Sequence, residues 1–229
     1  MSIPEPAKQL TQMLKIFATG TPPEIVLREA VMNGHEANAR NPDDQCEKYV
    51  LVCKDWENPE NLCVINKGGE YFHPDSARDH LNTLANSGNQ GRNTEFGLAE
   101  NFGHGVKISW VPDNSEGILY RTKEAVGDGR KFHFKELPSG VFGLADFQCP
   151  ELEEPSCFPT CYNFSEYLSP ETSGTEVVLQ SSHSSWDKVC SFCSLEGYED
   201  SRTGDSMRRL LSNRMWEEWG VAPGTTRVA

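Results

Sequence analysis

The sequence predicts an α+β fold, a two-layer sandwich in which helices pack on one face of a mostly antiparallel, mixed β-sheet. Three observations support this prediction. Two segments near the N-terminus have the apolar spacing or the start signals of helices, seven later runs have the composition of strands, and another helical segment lies between those runs. No internal repeat is present. We expect one domain spanning residues 1–229.

The first two predicted helices precede every strand. Ala7–Phe17 has apolar residues at positions i, i+3, i+4 and i+7, which form one helical face, and Gly20 is expected to end this helix. Thr21-Pro22-Pro23-Glu24 has the pattern of a capping box with proline at the first helical position. It predicts a second helix that continues to about Arg40.

The remaining predicted elements are mostly strands. Tyr49–Lys54 and Leu62–Lys67 are expected to form an antiparallel hairpin, followed by a helix over Pro74–Ala85 and a final helix over Met207–Trp219. Residues 146–163 have no period, so an irregular loop is predicted there. Five further strands are predicted: Val106–Val111, Gly117–Thr122, Lys131–Lys135, Val141–Leu144 and Thr175–Gln180.

Charge and composition argue against two classes of function. The chain has 21 Lys and Arg against 34 Asp and Glu, a net charge of −13, so direct nucleic-acid binding through a broad basic face is not expected. No apolar run approaches the roughly 18 residues of a membrane helix. The N-terminus also lacks the features of a signal peptide. We therefore expect a cytoplasmic protein whose cysteines are thiols.

The cysteines leave one alternative open, a structural zinc site at Cys190-x-x-Cys193. Such a site needs two more ligands. The spacing of the available residues does not match a known zinc motif, so buried thiols are the favoured interpretation. The candidate further ligands are Cys149, Cys157, Cys161 and His183.

The second predicted helix carries the most informative pair of polar residues. Glu29 and Asn33 are four positions apart and therefore project from one helical face. A carboxylate can polarise a water molecule, and an amide oxygen can ligate a hard cation such as Mg²⁺. The alternative is a solvated pair without a ligand. His35, nearby, is expected on the helix surface.

Three further segments carry candidate binding residues, and each has a simpler explanation as a turn, loop or strand. Asn66-Lys67-Gly68-Gly69 follows a strand, where glycines permit left-handed backbone and the close approach of a ligand. Glycines between Ser87 and Lys107 can present backbone N–H groups to phosphate, and Lys107 adds a positive charge. Thr175 opens a buried strand and can offer its hydroxyl.

Taken in this order, the four segments resemble the boxes of the GHKL, or Bergerat-fold, ATPases. Glu29-x-x-x-Asn33-x-x-Glu36-Ala37 is similar to the first box, E-x-x-x-N-x-x-D-A. Asn66-Lys67-Gly68-Gly69-Glu70 stands where the family has D-x-G-x-G, and Phe102-Gly103-His104-Gly105-Val106-Lys107 resembles F-G-x-G-x-K. Gly174-Thr175 resembles the last box. Leu81–Gly88 is similar to the helix and lid entrance of phage and bacterial members with a MutL- or MORC-like appearance.

The resemblance implies a set of roles. Glu29 would be the general base, Asn33 would hold Mg²⁺, and the segment from Ser87 to Asn101 would be a lid over the phosphates. The adenine would lie near Asn66 and Thr175. The residues implied to contact the nucleotide are Asn33, Asn66, Gly68, Ser87, Asn101, Phe102, Gly103, His104, Gly105, Lys107 and Thr175.

These roles imply a Mg²⁺-dependent ATP-binding domain that hydrolyses ATP slowly and uses lid closure as a switch. In this layout residues 1–20 form an N-terminal helix, 21–180 the nucleotide-binding core and 181–229 a helical segment. Two departures from the family are Asn66 in place of Asp and Glu70 in place of the second glycine. Many relatives add a transducer domain, so a further domain, a partner chain or a homodimer is expected to complete the site. The alternatives are a nucleotide sensor that does not hydrolyse ATP, and a structural domain that binds no nucleotide.

Overall fold

A computed structural model of the chain describes residues 5–17, 23–41, 46–81, 116–148, 156–168, 170–180 and 226–228. Three helices and eight strands lie within these ranges. The helices are α1 (Glu5–Phe17), α2 (Pro23–Arg40) and α3 (Pro74–Leu81). The strands are β1 (Tyr49–Lys54), β2 (Leu62–Lys67), β3 (Ile118–Lys123), β4 (Gly129–Glu136), β5 (Phe142–Ala145), β6 (Thr160–Cys161), β7 (Gly174–Leu179) and β8 (Thr226–Val228).

All eight strands belong to one sheet. Seven follow the order β5-β4-β3-β7-β2-β1-β8, and β6 pairs with β4 beside this path. Strand β8 runs parallel to β1, and the other pairs are antiparallel. The predicted α+β class with a mostly antiparallel, mixed sheet is therefore confirmed.

The helices pack on one face of this sheet. Leu14 of α1, Val31 of α2 and Ala77 of α3 belong to the same buried cluster as Val64 and Phe132 of the sheet. Because side chains alternate along a strand, the intervening residues face the opposite side. There a second cluster, which includes Leu51, Ile65 and Val178, is covered by aromatic side chains from outside the strands: Phe147, Phe164 and Tyr167.

A buried ion-pair network joins three strands on that second face. The Arg121 side chain is 1% exposed. Its guanidinium donates at 2.8 Å to the carboxylates of Asp55, Glu57 and Glu176. It also lies 5.1 Å from the centre of the Trp56 ring. Asp55 follows β1 and Glu176 belongs to β7, and these two strands flank β2 in the sheet. Arg121, which belongs to β3, therefore links β1 and β7 across β2.

Cys53 and Cys63 form a cross-strand pair on the same face. A hydrogen bond of the Cys63 thiol with Cys53, together with burial, raises the pKa of Cys63 well above its ordinary value. The cysteines of the described ranges are free thiols, as the sequence predicted for them. They are Cys46, Cys53, Cys63, Cys157 and Cys161.

The predicted hairpin strands have the observed bounds, and α2 ends at Arg40 as expected. The loop predicted for residues 146–163 is wrong in part, because it contains β6 and a bridge between Phe147 and Ser156. Strand β8 was not predicted. The predicted elements Val106–Val111 and Met207–Trp219 lie outside the described residues. No helix in the described part of the chain is long and apolar enough to cross a membrane.

Candidate functional site

A glycine brings α2 close to the sheet at the centre of the candidate site. A Cβ atom on Gly34 would lie 2.9 Å from Val50 Cγ2 and 3.4 Å from Asn66 Cβ. Cβ atoms essentially never approach another atom to the first of these distances, so a larger residue at this position would force Val50 or the helix to shift. Asn33 is the adjacent residue and Glu29 lies one turn earlier; both are partly buried. The helix that carries Glu29 and Asn33 therefore packs next to Asn66 at Gly34.

Three polar residues form a row across the middle of the sheet, on the face that the helices cover. Asn66 pairs with Thr175, and Thr175 pairs with Thr122 on the next strand. Residues two positions away on these strands, among them Val64 and Tyr120, belong to the helix-side core. This polar row (Asn66, Thr175 and Thr122) is buried. It brings together two predicted nucleotide-contacting residues that are far apart in sequence.

The hydroxyl groups of the polar row are already hydrogen-bonded to the protein. Thr122 Oγ1 and Thr175 Oγ1 are 2.9 Å apart. The Phe72 N–H donates to both oxygens, at 2.9 Å to Thr122 and 3.1 Å to Thr175. Because a hydroxyl has one donor and two acceptor positions, Thr175 retains limited capacity for a ligand. Its hydroxyl also fixes the start of the segment that leads to α3.

The turn after β2 is hydrogen-bonded both to the end of α2 and to the chain before β7. Gly68 has φ +74°, which confirms the predicted left-handed backbone after this strand. Its N–H donates to Ser173 O at 2.9 Å, and its carbonyl accepts from Asn41 Nδ2 at 2.7 Å. The Glu70 N–H donates to Ala37 O at 2.8 Å. These contacts fix the position of the turn relative to the polar row.

Two buried amides meet beside Gly69. A Cβ atom at this residue would lie 2.5 Å from Asn38 Oδ1 and 2.5 Å from Asn66 Nδ2. Asn38 is 7% exposed and Asn66 is 5% exposed. Neither of these two atoms has a hydrogen-bond partner among the described residues. One is an acceptor and the other a donor, and a buried polar atom left unpaired costs roughly 1–3 kcal/mol.

An ion-pair chain holds the last turn of α2 against the segment after the turn. Arg40 Nε donates to Glu70 Oε2 at 2.8 Å, and the same guanidinium lies 3.6 Å from Glu36 Oε2. Glu36 and Arg40 are buried. Glu36, the second acidic residue of the first predicted box, therefore has a cationic partner from its own helix.

The expectation that His35 lies on the helix surface is wrong. The side chain is buried, and burial lowers its pKa to about 4, so it is neutral. The cause is the position of α2, which is buried on almost every side from Ala30 to Asn38. A surface histidine is expected only where one side of a helix faces solvent.

Several predicted site residues lie outside the described residues: Ser87, Asn101, Phe102, Gly103, His104, Gly105 and Lys107. The same holds for Cys190, Cys193 and His183 of the zinc alternative. In the ranges that the structure describes, no group of three or more His, Cys, Asp or Glu side chains could hold a metal ion.

Sequence reasoning missed Gly34, Asn38, Phe72 and Thr122. Gly34 offered one signal, because a glycine inside a helix costs about 1 kcal/mol and so points to a packing requirement. Asn38 directly follows the first box, but its relation to Asn66 depends on the turn at Gly69. A comparison of the sequence with models of known protein families gives no match, and a comparison with curated proteins gives none either.

Proposed function

We propose that this chain is an ATP-binding domain of the Bergerat fold, which holds Mg²⁺ and ATP at the seam between α2 and the sheet. One observation carries the proposal. Gly34 packs α2 against the strand that bears Asn66, and Asn66 pairs directly with Thr175. Segments that resemble three of the family's boxes therefore lie side by side, because Gly34 is next to Asn66 and Asn66 is next to Thr175.

The adenine end of this site would be formed by the polar row. Asn66 is an acceptor as well as a donor through its amide, so its carbonyl oxygen can accept a hydrogen bond from the adenine amino group. Gly68 would allow the base to approach the backbone.

The phosphate end would lie along α2. Asn33 would offer its amide oxygen to Mg²⁺, which is commonly held by one or two protein oxygens together with phosphate oxygens. When bound, Mg²⁺ would neutralise charge on the phosphates. The Glu29 carboxylate, four residues away on the same helical face, would orient a water molecule and accept its proton. Slow hydrolysis is expected, with a further domain or a second chain completing the site.

A second candidate is a sensor module that binds ATP or ADP without hydrolysis. Asn66 favours it, since a neutral amide replaces the carboxylate of the family at the base. A neutral acceptor forms a weaker hydrogen bond than an ionised one.

Thermal unfolding with Mg²⁺ and ATP tests the proposal, because a ligand that binds only the folded state raises its melting temperature. Four proteins are compared: wild type, Glu29→Ala, Asn33→Ala and the control Asn61→Ala, a buried asparagine that precedes β2 at its opposite end. We expect ATP to stabilise wild type, Glu29→Ala and Asn61→Ala but not Asn33→Ala in the presence of Mg²⁺.

Steady-state phosphate release then separates the two candidates. If Glu29→Ala abolishes turnover while retaining ATP binding, the domain is an ATPase. Equal background turnover in wild type and Glu29→Ala, with binding intact, identifies the sensor. No stabilisation of wild type by either ATP or ADP would contradict nucleotide binding altogether.

A further inference from the structure

We propose that Asn38 is a positioning residue for the nucleobase: it fixes the orientation of the Asn66 amide, so that Asn66 presents its carbonyl oxygen to the ligand. The inference rests on the proposed nucleotide function and goes beyond it. It assigns base selectivity to a residue outside the four boxes.

The geometry beside Gly69 is the starting point. Asn38 Oδ1 and Asn66 Nδ2 both lie 2.5 Å from the point that a Cβ atom of residue 69 would occupy. An acceptor and a donor therefore face the same small space, and glycine at position 69 is what leaves that space open. Both side chains are more than nine-tenths buried, and both atoms are unpaired among the described residues.

These two atoms are complementary to each other. A small rotation of either amide about its last side-chain torsion, which is a soft torsion, would join Asn66 N–H to Asn38 Oδ1. If the Asn66 amide turned over, its oxygen would face the Asn38 oxygen, and two acceptors would meet in a buried place. Asn38 therefore favours one orientation of Asn66.

That orientation has a consequence for recognition. The oxygen and nitrogen of an amide diverge from the same carbon, so Asn66 Oδ1 points away from Asn38 when Nδ2 points toward it. A fixed oxygen accepts from the 6-amino group of adenine. It rejects the 6-oxo group of hypoxanthine, because two acceptors would then be apposed. An Asn66 amide freed from Asn38 could turn and accommodate either base.

The test compares the dissociation constants of ATP and ITP by calorimetry in the presence of Mg²⁺. In ITP a 6-oxo group replaces the 6-amino group of adenine, and N1 carries a proton. Wild type is expected to prefer ATP by about tenfold, the scale of one reversed hydrogen bond in a buried site. Asn38→Leu should reduce this preference to less than about threefold. Gly69→Ala, which inserts a methyl group between the two amides, should do the same.

A second background makes the test specific. In Asn66→Asp the carboxylate presents two equivalent oxygens and needs no orientation. Adding Asn38→Leu to Asn66→Asp should therefore leave the preference for ATP unchanged, whereas a general packing defect would reduce it in both backgrounds. Asn38→Ser replaces Asn38→Leu if the latter does not fold, as judged by its thermal transition.

The outcomes are distinct. A preference for ATP that survives Asn38→Leu and Gly69→Ala in the Asn66 background overturns the role of Asn38 while nucleotide binding stands. A preference lost equally in both backgrounds also overturns it. If wild type binds neither ATP nor ITP, the proposed function fails and this inference fails with it.

Discussion

Replacing Arg121 by methionine should strongly destabilise the fold. The guanidinium is buried between Asp55 and Glu176, whose side chains are 2% and 0% exposed. Methionine preserves much of the length of the side chain but removes the charge and all of its donors. Two carboxylates would then remain buried without the cation that each now contacts at 2.8 Å.

The structure sets the size of the effect. Removing one partner of a buried ion pair typically costs about 3–5 kcal/mol, because the other charge stays in the interior. The pair with Glu57 adds little, since that carboxylate is about half exposed. The stacking of Arg121 over Trp56 adds roughly 0.5–1 kcal/mol. We therefore expect the free energy of unfolding to fall by about 4 kcal/mol.

The assay is equilibrium unfolding in urea, followed by far-UV circular dichroism. Lys15→Met is the matched control, because Lys15 pairs with Glu136 at a similar distance, 2.9 Å, but on the surface. Its loss should cost less than about 1 kcal/mol. Adding Glu176→Gln to Arg121→Met should recover part of the stability. A loss in Arg121→Met no larger than that in Lys15→Met would refute the argument from burial.

Three further predictions concern single residues. Gly68→Ala should destabilise the fold by more than Gly140→Ala in urea unfolding, and equal losses would contradict this. Both glycines have a φ near +75°, but a Cβ at Gly68 would lie 2.7 Å from Glu47 O, whereas one at Gly140 would meet nothing within 4 Å. The pKa of His35 is about 4 in the folded state and ordinarily 6.5, so as the pH falls the unfolded state takes up the proton at a higher pH than the folded state. The free energy of unfolding should therefore fall by about 3 kcal/mol as the pH drops from 6.5 to about 4. His35→Gln should remove that part of the pH dependence, and an unchanged pH profile would show that His35 is not buried as a neutral base. Asn33→Ala should weaken ATP binding only when Mg²⁺ is present, in calorimetry with and without EDTA, and an equal loss under both conditions would exclude Asn33 as a metal ligand.

The sequence predicted the sheet where strand composition and apolar content agreed. Tyr49–Lys54 and Leu62–Lys67 are rich in β-branched and apolar residues and are bounded by polar turns, so their limits were clear. Strand β6 has only two residues, and β8 has three. Such short strands carry no detectable period, and their pairing with β4 and β1 depends on contacts distant in sequence.

The candidate site was only partly predictable for a related reason. Motif spacing singled out Glu29, Asn33 and Asn66, because these residues belong to short local patterns. The hydrogen bonds of Thr122 depend on a neighbouring strand, and the burial of His35 depends on what packs around α2. Local patterns contain neither kind of information.

Strand β7 has consequences for how the chain finds its correct alignment during folding. Its adjacent residues Thr175 and Glu176 make different polar contacts on opposite faces, with Thr122 and Arg121 respectively. A shift of β7 by one residue would bury the Glu176 carboxylate among the helices. A shift by two would keep each residue on its face but would leave Arg121 opposite Gly174 or Val178. Only the native alignment satisfies both contacts, so β7 discriminates against misaligned pairing with β3.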